Sequence, residues 1–370
     1  MKTVIVTGAR GFVGRNLCVR LGELGDAVRV IQIGREDGAD ALRAAAQEAD
    51  FVFHLAGVNR PSDEGEFALG NPGLTRNLCD ALAQAGNTAP IVLSSSTQAA
   101  ADNPYGRSKR EAEDVVFAHA QATGATSYVF RLTNVFGKWA RPNYNSAVAT
   151  FCNNVARGLP IAVNDPSAPL NLVYIDDVVD HFIALLNGSD VATGYRKVDP
   201  AYATTVGAVA DAICGFPESR GSLVSPRVGT GLIRALYSTY LSYLPTEAFD
   251  YTVPVHGDPR GVFVEMLKTP DAGQFSYFTA GPGITRGDHY HHTKAEKFLV
   301  IAGTAHFGFR HILSGERHEV VVKGGEARIV ETIPGWTHNI TNIGDDELIV
   351  MLWANEIFDR ARPDTIALKV

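Results

Sequence analysis

The run Thr7-Gly8-Ala9-Arg10-Gly11-Phe12-Val13-Gly14 stands directly after a β-branched stretch at residues 4–6 and opens an amphipathic stretch at residues 13–24. Few folds accept such an opening. Glycines at these spacings let a strand turn sharply into a helix, let backbone N–H groups approach a pyrophosphate, and let the helix pack on the strand. The helix N-terminus adds positive potential at the same point. A glycine triplet by itself is a weak signal, but its place between strand and helix reads as a nucleotide cradle. Gly8, Arg10, Gly11, Phe12 and Gly14 are therefore assigned to cofactor binding.

The pattern continues as strict alternation. Strands are predicted at residues 28–33, 51–54, 91–94 and 126–132, and helices at 39–47, 71–84 and 105–121. Such alternation gives right-handed βαβ units and a parallel, Rossmann-like α/β sheet. After residue 250 the texture changes. Short strand-like runs at 297–301, 305–309, 319–322, 327–330 and 347–353 are separated by turns such as Gly324-Gly325 and Gly344-Asp345-Asp346. They predict an all-β sandwich or small barrel. At 370 residues the chain has room for about two domains, placed at 1–244 and 250–370. Tyr237, Tyr240 and Tyr243 form a stripe on a predicted helix between them. The stripe reads as interdomain packing, with a substrate contact as the alternative.

Composition adds exclusions. The four cysteines all precede residue 215 and none pairs closely, which argues against a disulfide framework or a thiolate zinc site. Of 11 histidines, eight follow residue 250, so imidazole chemistry belongs to the second part. A net charge of −7 leaves no basic excess for a nucleic-acid backbone. No apolar run approaches the roughly 18 residues of a transmembrane helix, and a strand pattern begins at once where a signal peptide would lie. The expectation is a cytoplasmic protein with no nucleic-acid or membrane partner.

Tyr105 and Lys109 are four apart at the start of a predicted helix, hence on one face. Tyr290 and Lys294 share that spacing, but in the strand-rich half. A tyrosine near pKa 10 works poorly in proton transfer at pH 7 unless a cation lowers that value. Lys109 is assigned that task, Tyr105 the proton transfer, and Ser96 a hydrogen bond to the substrate oxygen. Ser95 is the alternative if the register slips by one. The second strand ends in Gly34-Arg35 with no acidic residue at its tip. Arg35 and Arg10 suit a 2′-phosphate, so NADPH is the expected cofactor.

The first half resembles the extended short-chain dehydrogenase/reductases. The resemblance is carried by the glycine loop, Asp50-Phe51-Val52-Phe53-His54-Leu55-Ala56-Gly57, the serine run 94–96, Tyr105/Lys109, Arg131 to Gly137, and Tyr174-Ile175-Asp176-Asp177-Val178. It implies a nucleotide-sugar substrate, Asp50 against adenine, Leu55, Ala56 and Gly57 along the cofactor, and Asn134 near the substrate. His54 and Asp176 are read as structural.

Gly283 to Gly303 follows G(x)5HxH(x)4E(x)6G, and Pro334-Gly335-Trp336-Thr337-His338 with Asn342 follows PGxxH(x)3N. Both resemble the cupin motifs. Alternate residues of a strand share a face, so His289 and His291 converge, and Glu296 and His338 join them from neighbouring strands. Three imidazoles and a carboxylate suit Zn, Fe, Mn or Ni, zinc first. The alternative is a cupin that keeps its histidines without metal. His256, His292, His306, His311 and His318 are given no special role.

From end to end the chain resembles enzymes of capsular-polysaccharide and O-antigen synthesis that lead to UDP-N-acetyl-L-fucosamine. Val58-Asn59-Arg60-Pro61, Asp102 to Gly106, Phe136-Gly137-Lys138-Trp139, Arg141 to Ser146 and Tyr237 to Pro245 carry this resemblance. It implies a UDP-2-acetamido-2,6-dideoxy-hexos-4-ulose substrate, with Asn59, Asn134, Arg141 and Asn143 as contacts. It also implies C3 epimerisation in the cupin, then NADPH reduction at C4 to UDP-2-acetamido-2,6-dideoxy-L-talose. Two alternatives remain: a single-step enzyme whose cupin only binds sugar or oligomerises, and a non-catalytic NADP(H) sensor. By fold analogy a homo-oligomer is expected.

Overall fold

The computed structural model describes the chain apart from residues 35, 189–190, 259–260, 265, 268, 270–272 and 357–360; for 255–258, 261–264 and 274–276 it describes the backbone alone. Contacts group the chain into two compact units, Met1–Val135 with Asn171–Ala203, and Phe136–Leu170 with Thr204–Val370.

The first unit is built on parallel strands β1 (Lys2–Thr7), β2 (Val28–Ile33), β3 (Phe51–His54), β4 (Ile91–Ser96) and β5 (Ser127–Leu132). With Gly194–Arg196 at the edge, the sheet order is β2-β1-β3-β4-β5 and then that strand. Helices cover the sheet, so its inner strands are apolar on both faces: Val4, Ile5, Val6, Val52 and Phe53 are fully buried. The order reverses beside β1, and ligands of such sheets bind at that switch point, beyond the carboxyl ends of the strands. Helix Pro104–Thr123 has a readable start and stop. The Asn103 side chain accepts the Gly106 N–H, proline takes the first position, and Gly124 closes the helix at φ +78°. The start at Pro104 puts Tyr105 in the first turn.

In the second unit two five-stranded antiparallel sheets form the double-stranded β-helix of a cupin. One runs Asp250–Thr252, Arg328–Glu331, Glu296–Ala302, Leu348–Ala354, Gln274–Ala280. The other runs Arg317–Lys323, Thr304–His311, Trp336–Asn342, Thr285–Tyr290, Ile366–Ala367. An α/β part followed by an all-β part is the architecture expected from sequence.

Packing and chain order do not divide the molecule at the same place. Helices Ala147–Ala156, Val206–Ser222 and Gly231–Leu241 precede residue 244, yet they group with the β-sheets. Buried charge is one reason. Lys297 is 3% exposed, on the opposite side of its strand from Glu296. It pairs with Glu331, which also receives Arg220 of helix Val206–Ser222. An unpaired charge so deeply buried would be costly, so the three groups tie helix to sheet. The tyrosine stripe packs within this unit. Tyr237 and Tyr240 lie 5.2 and 5.6 Å from the Phe216 ring, and the Tyr243 hydroxyl donates to the Ala140 carbonyl.

Candidate functional site

The glycine loop is pressed tightly against its surroundings. Gly8 has φ +68°, and a Cβ there would lie 2.7 Å from the Ala56 nitrogen; a Cβ on Gly14 would lie 2.2 Å from the Gly8 oxygen. Leu55 N–H donates to Thr7 C=O at 3.2 Å, and Ala56 N–H to Thr7 Oγ1 at 3.2 Å. Gly8, Gly11, Phe12, Gly14, Leu55 and Ala56 therefore meet at the switch point. Gly11 caps helix Phe12–Gly22 and leaves its first N–H groups open to an anion.

Three expected cofactor residues fare differently. Asp50 precedes β3, and its carboxylate accepts the Thr3 N–H at 2.7 Å. Strand register sets Thr7 opposite His54, so Asp50 stands at the far end of the strand, about 13 Å away by strand rise. It does not join the glycine-loop group. Arg10 pairs with Glu36, an acidic residue just past the second strand that a search of the strand tip alone passes over. Arg35 lies outside the described residues.

Beyond β4, Ser96 is the serine that acts on the Tyr105 hydroxyl, its Oγ also accepting the Gln98 N–H at 3.1 Å, and Ser95 instead donates to Glu113. Of the two serines, Ser96 is the one at the tyrosine. Burial raises the Tyr105 hydroxyl above its ordinary value, and Ser96 partly offsets this. The expected depression by Lys109 is not what the geometry shows. The Lys109 Nζ lies 5.9 Å from the Tyr105 ring centre and donates to the Ser94 carbonyl at 3.2 Å. A protonated tyrosine is nonetheless the form a ketone reduction consumes. Burial pulls Lys109 down to about 8, against the opposing pull of Glu113.

Two residues here went unrecognised in the sequence. Asn71 is 2% exposed; its Oδ1 accepts the Val58 N–H at 2.9 Å and its Nδ2 donates to Ser108 Oγ at 2.9 Å. A Cβ on Gly57 would sit 2.8 Å from Asn71 Oδ1 and 3.1 Å from Lys109 Nζ, so Gly57 keeps space for both. A polar chain runs from the glycine loop to Asn71. Thr7 Oγ1 donates to His54 Nδ1 at 2.7 Å, His54 Nε2 to Thr75 Oγ1 at 2.9 Å, and Thr75 Oγ1 to the Asn71 carbonyl at 2.8 Å. That direction needs a neutral His54, and burial together with Lys109 lowers its pKa to about 3. The signal for Asn71 was Pro72, which removes a helix hydrogen bond and disfavours regular α-helix around it; the chain forms a π-turn at Leu69–Gly73. Glu113 is fully buried and takes Arg131 Nε and Nη2 at 3.0 and 2.6 Å. Its signal was an acid four residues after Lys109.

The four expected substrate contacts fall in different units. Asn59 and Asn134 belong to the first, both exposed, with Asn134 Nδ2 donating to the Asn171 carbonyl at 3.1 Å. Arg141 and Asn143 belong to the second. The Arg141 guanidinium lies 5.2 Å from the Tyr144 ring centre, and Asn143 adopts φ +54° with its N–H on Thr150 Oγ1 at 3.0 Å. Nearby Trp139, at φ +68°, donates its indole N–H to His311 Nε2 at 3.1 Å.

In the β-barrel, His289, His291, Glu296 and His338 bring one ligand atom each to within 4.8 Å of one another. His289 and His338 are register partners, and a bulge between Gly287 and His289 turns His289 inward. The Glu296 Oε2 stands 3.1 Å from His291 Nε2 and 3.5 Å from His338 Nε2. Burial lowers His289 to about 4, helped by His338 and His291, and burial also lowers His338; both are neutral, with a lone pair to offer. Burial opposes ionisation of Glu296, but His291, His338 and Lys294 outweigh it and hold the carboxyl well below the usual range. His338 Nδ1 is buried without a hydrogen-bond partner among the described residues. Such a donor set, with an orphaned imidazole nitrogen, fits a divalent cation. His292 is buried and packs 5.5 Å from the Tyr290 ring; His306 pairs with exposed Glu319, and His318 packs on Phe249. The His256 side chain lies outside the described residues.

Residues 4–197 match the NAD dependent epimerase/dehydratase family, and residues 256–366 match the polysaccharide biosynthesis C-terminal domain. The UDP-2-acetamido-2,6-beta-L-arabino-hexul-4-ose reductase of Pseudomonas aeruginosa is 55% identical over 367 residues, covering 99% of this chain and 98% of that one. The crystal structure of the capsular polysaccharide assembling protein CapF from Staphylococcus aureus covers all of both chains at 41% identity and TM-score 0.68. A UDP-glucuronic acid 4-epimerase from Bacillus cereus, solved with NAD, shares the fold over 60% of this chain and 84% of that one, at 17% identity and TM-score 0.52. No described helix is long and apolar enough to cross a membrane.

Proposed function

The chain belongs to the NAD dependent epimerase/dehydratase family, and from that premise we propose that it is a cytoplasmic, homo-oligomeric NADPH-dependent reductase of a UDP-2-acetamido-2,6-dideoxy-4-keto-hexose. The observation that carries this reading is the end-to-end relation to a protein named as a UDP-sugar 4-ulose reductase. The site chemistry supports it. A reduced nicotinamide, when bound, supplies the hydride for C4. Tyr105 holds the proton that the C4 oxygen takes up, Ser96 orients that oxygen, and Lys109 holds the nicotinamide ribose. Arg10, released from Glu36, would face a 2′-phosphate. Asn59, Asn134, Arg141 and Asn143 are proposed to contact the UDP-sugar.

We assign C3 epimerisation, ahead of reduction, to the cupin. The C4 ketone acidifies the neighbouring C3–H, so a proton can leave one face and return on the other. His289, His291, Glu296 and His338 would hold a divalent ion, zinc first, which supplies charge stabilisation for an oxyanion. Reduction after epimerisation gives UDP-2-acetamido-2,6-dideoxy-L-talose, the substrate of a separate C2-epimerase.

The test is to mix protein, NADPH and a panel of UDP-4-keto sugars in D2O, following loss of NADPH absorbance and deuterium at C3. The 2-acetamido-2,6-dideoxy substrate should consume NADPH and gain deuterium. His291→Ala should abolish exchange while still reducing a pre-epimerised ketone. NADPH oxidation with none of the sugars would overturn the reductase reading, and exchange retained in His291→Ala would overturn the cupin's part.

A further inference from the structure

Lys294 and the two histidines before it lie on a turn between the strands that carry His289 and Glu296, and this turn is held from 70 residues away. The carboxylate of Asp364 accepts the His292 N–H at 2.8 Å, the Thr293 N–H at 2.7 Å, the Lys294 N–H at 2.8 Å and the Thr293 hydroxyl at 3.1 Å. The backbone carbonyl of Asp364 accepts the Nδ1–H of His291. Just beyond it, Ile366–Ala367 adds a short strand beside Tyr290 and His289. The Leu368 N–H donates to the Asp288 carbonyl at 2.8 Å, and Thr337 donates to the Leu368 carbonyl. One segment thus touches the backbone around His289, His291 and His338.

We propose that Asp364 is a positioning residue for the histidine site: its carboxylate fixes the 292–294 turn so that its own carbonyl holds His291 as the Nδ1–H tautomer and leaves Nε2 as the ligand atom. The chemistry is direct. A neutral imidazole carries one N–H, so a carbonyl at Nδ1 decides that the lone pair is on Nε2. The Nε2 atom is the one that faces Glu296 at 3.1 Å. Ligating histidines are commonly oriented this way through the second nitrogen, and loss of such a partner costs about 10–100-fold in metal affinity. The half-buried carboxylate accepts three N–H groups and a hydroxyl. A carboxylate held so firmly is a rigid anchor for the turn.

The inference rests on the metal reading of the site, so the experiment separates the two. The full-length protein is labelled with 15N-histidine and loaded with zinc, and the His291 tautomer is read by NMR for the native chain, Asp364→Ala and Asp364→Asn. Zinc affinity is then measured by chelator competition on the same proteins. The native chain should show a single Nδ1–H tautomer at His291. Asp364→Ala should show a mixture and bind zinc about 10–100-fold more weakly. Asp364→Asn keeps acceptors for part of the turn and the native size. It carries the test if the alanine variant does not fold, and should show the same mixture with a smaller loss. Native tautomer and zinc affinity within about twofold in folded variants would overturn the proposal. A native chain that binds no zinc would overturn the metal reading, while retention or loss of the Nδ1–H of His291 in the Asp364 variants still decides the role of Asp364.

Discussion

Tyr105 with Lys109 and Tyr290 with Lys294 have the same residues at the same spacing in two settings. The first pair lies on helix Pro104–Thr123, one turn apart on one face, at the ends of the parallel strands. Lys109 is buried against backbone oxygen and pulled down to about 8. The second pair straddles a turn. Tyr290 closes strand Thr285–Tyr290 and is 3% exposed, while Lys294 reaches a different partner, with its Nζ 2.6 Å from Glu296 Oε1. A spacing of four joins two side chains only where the backbone repeats every 3.6 residues; on a strand the period is two, and a turn breaks it. The residue pattern is therefore a statement about chemistry only after the local backbone is known.

The comparison can be broken most easily at the hydroxyls. Tyr105→Phe should lower kcat/KM for ketone reduction by about 10³-fold, within the 10²–10⁴ range of a lost general acid. Tyr290→Phe should change it by less than about twofold. Equal losses in single-turnover kinetics would remove the distinction between the pairs.

The lysines differ more subtly. The Lys294 ammonium competes with a cation for Glu296, so Lys294→Ala should tighten zinc binding about 3–10-fold and leave NADPH oxidation on a pre-epimerised ketone unchanged. Weaker zinc binding in a chelator titration would mean that Lys294 supports the site. Lys109 is charged below about 8 and neutral above it. If its ammonium serves catalysis, kcat/KM should fall as pH rises through that value. Glu113 holds the Lys109 pKa up, so Glu113→Gln should move this limb to lower pH, by about half a unit to one unit at the usual strength of a nearby charge. A limb that stays in place would remove Glu113 from the site's electrostatics.

Much of the fold was legible because it is written in short range. The glycine loop is eight consecutive residues, and the contacts that require Gly8 and Gly14 lie within the loop or against Leu55–Ala56. The helix that carries Tyr105 announces itself through Asn103-Pro104 and Gly124. The change from βαβ alternation to short strands located the all-β part. The four residues His289, His291, Glu296 and His338 were legible as a group because cupin spacing stands out in a composition poor in cysteine.

The rest depended on groups that meet only after folding. Asp50 looked like a cofactor residue by its place in a motif, but strand direction sets it at the opposite end from the glycine loop. Glu36 meets Arg10 through the fold of the loop beyond β2. The helices of residues 147–241 read as part of the first half by chain order, but half-buried Arg220 reaches the buried Lys297–Glu331 pair of the β-sheets. Asp364 carries no motif at all; its carboxylate matters because three amides of a turn 70 residues away point at it. Sequence alone determined the α/β-then-β architecture, the strand–glycine-loop–helix opening and the grouping of His289, His291, Glu296 and His338, because periodicity, capping and motif spacing act over a few residues. Tertiary structure alone decided which serine faces Tyr105, what holds Lys109, which carbonyl faces His291 Nδ1 and where the molecule divides, because each rests on burial and on partners distant in the chain.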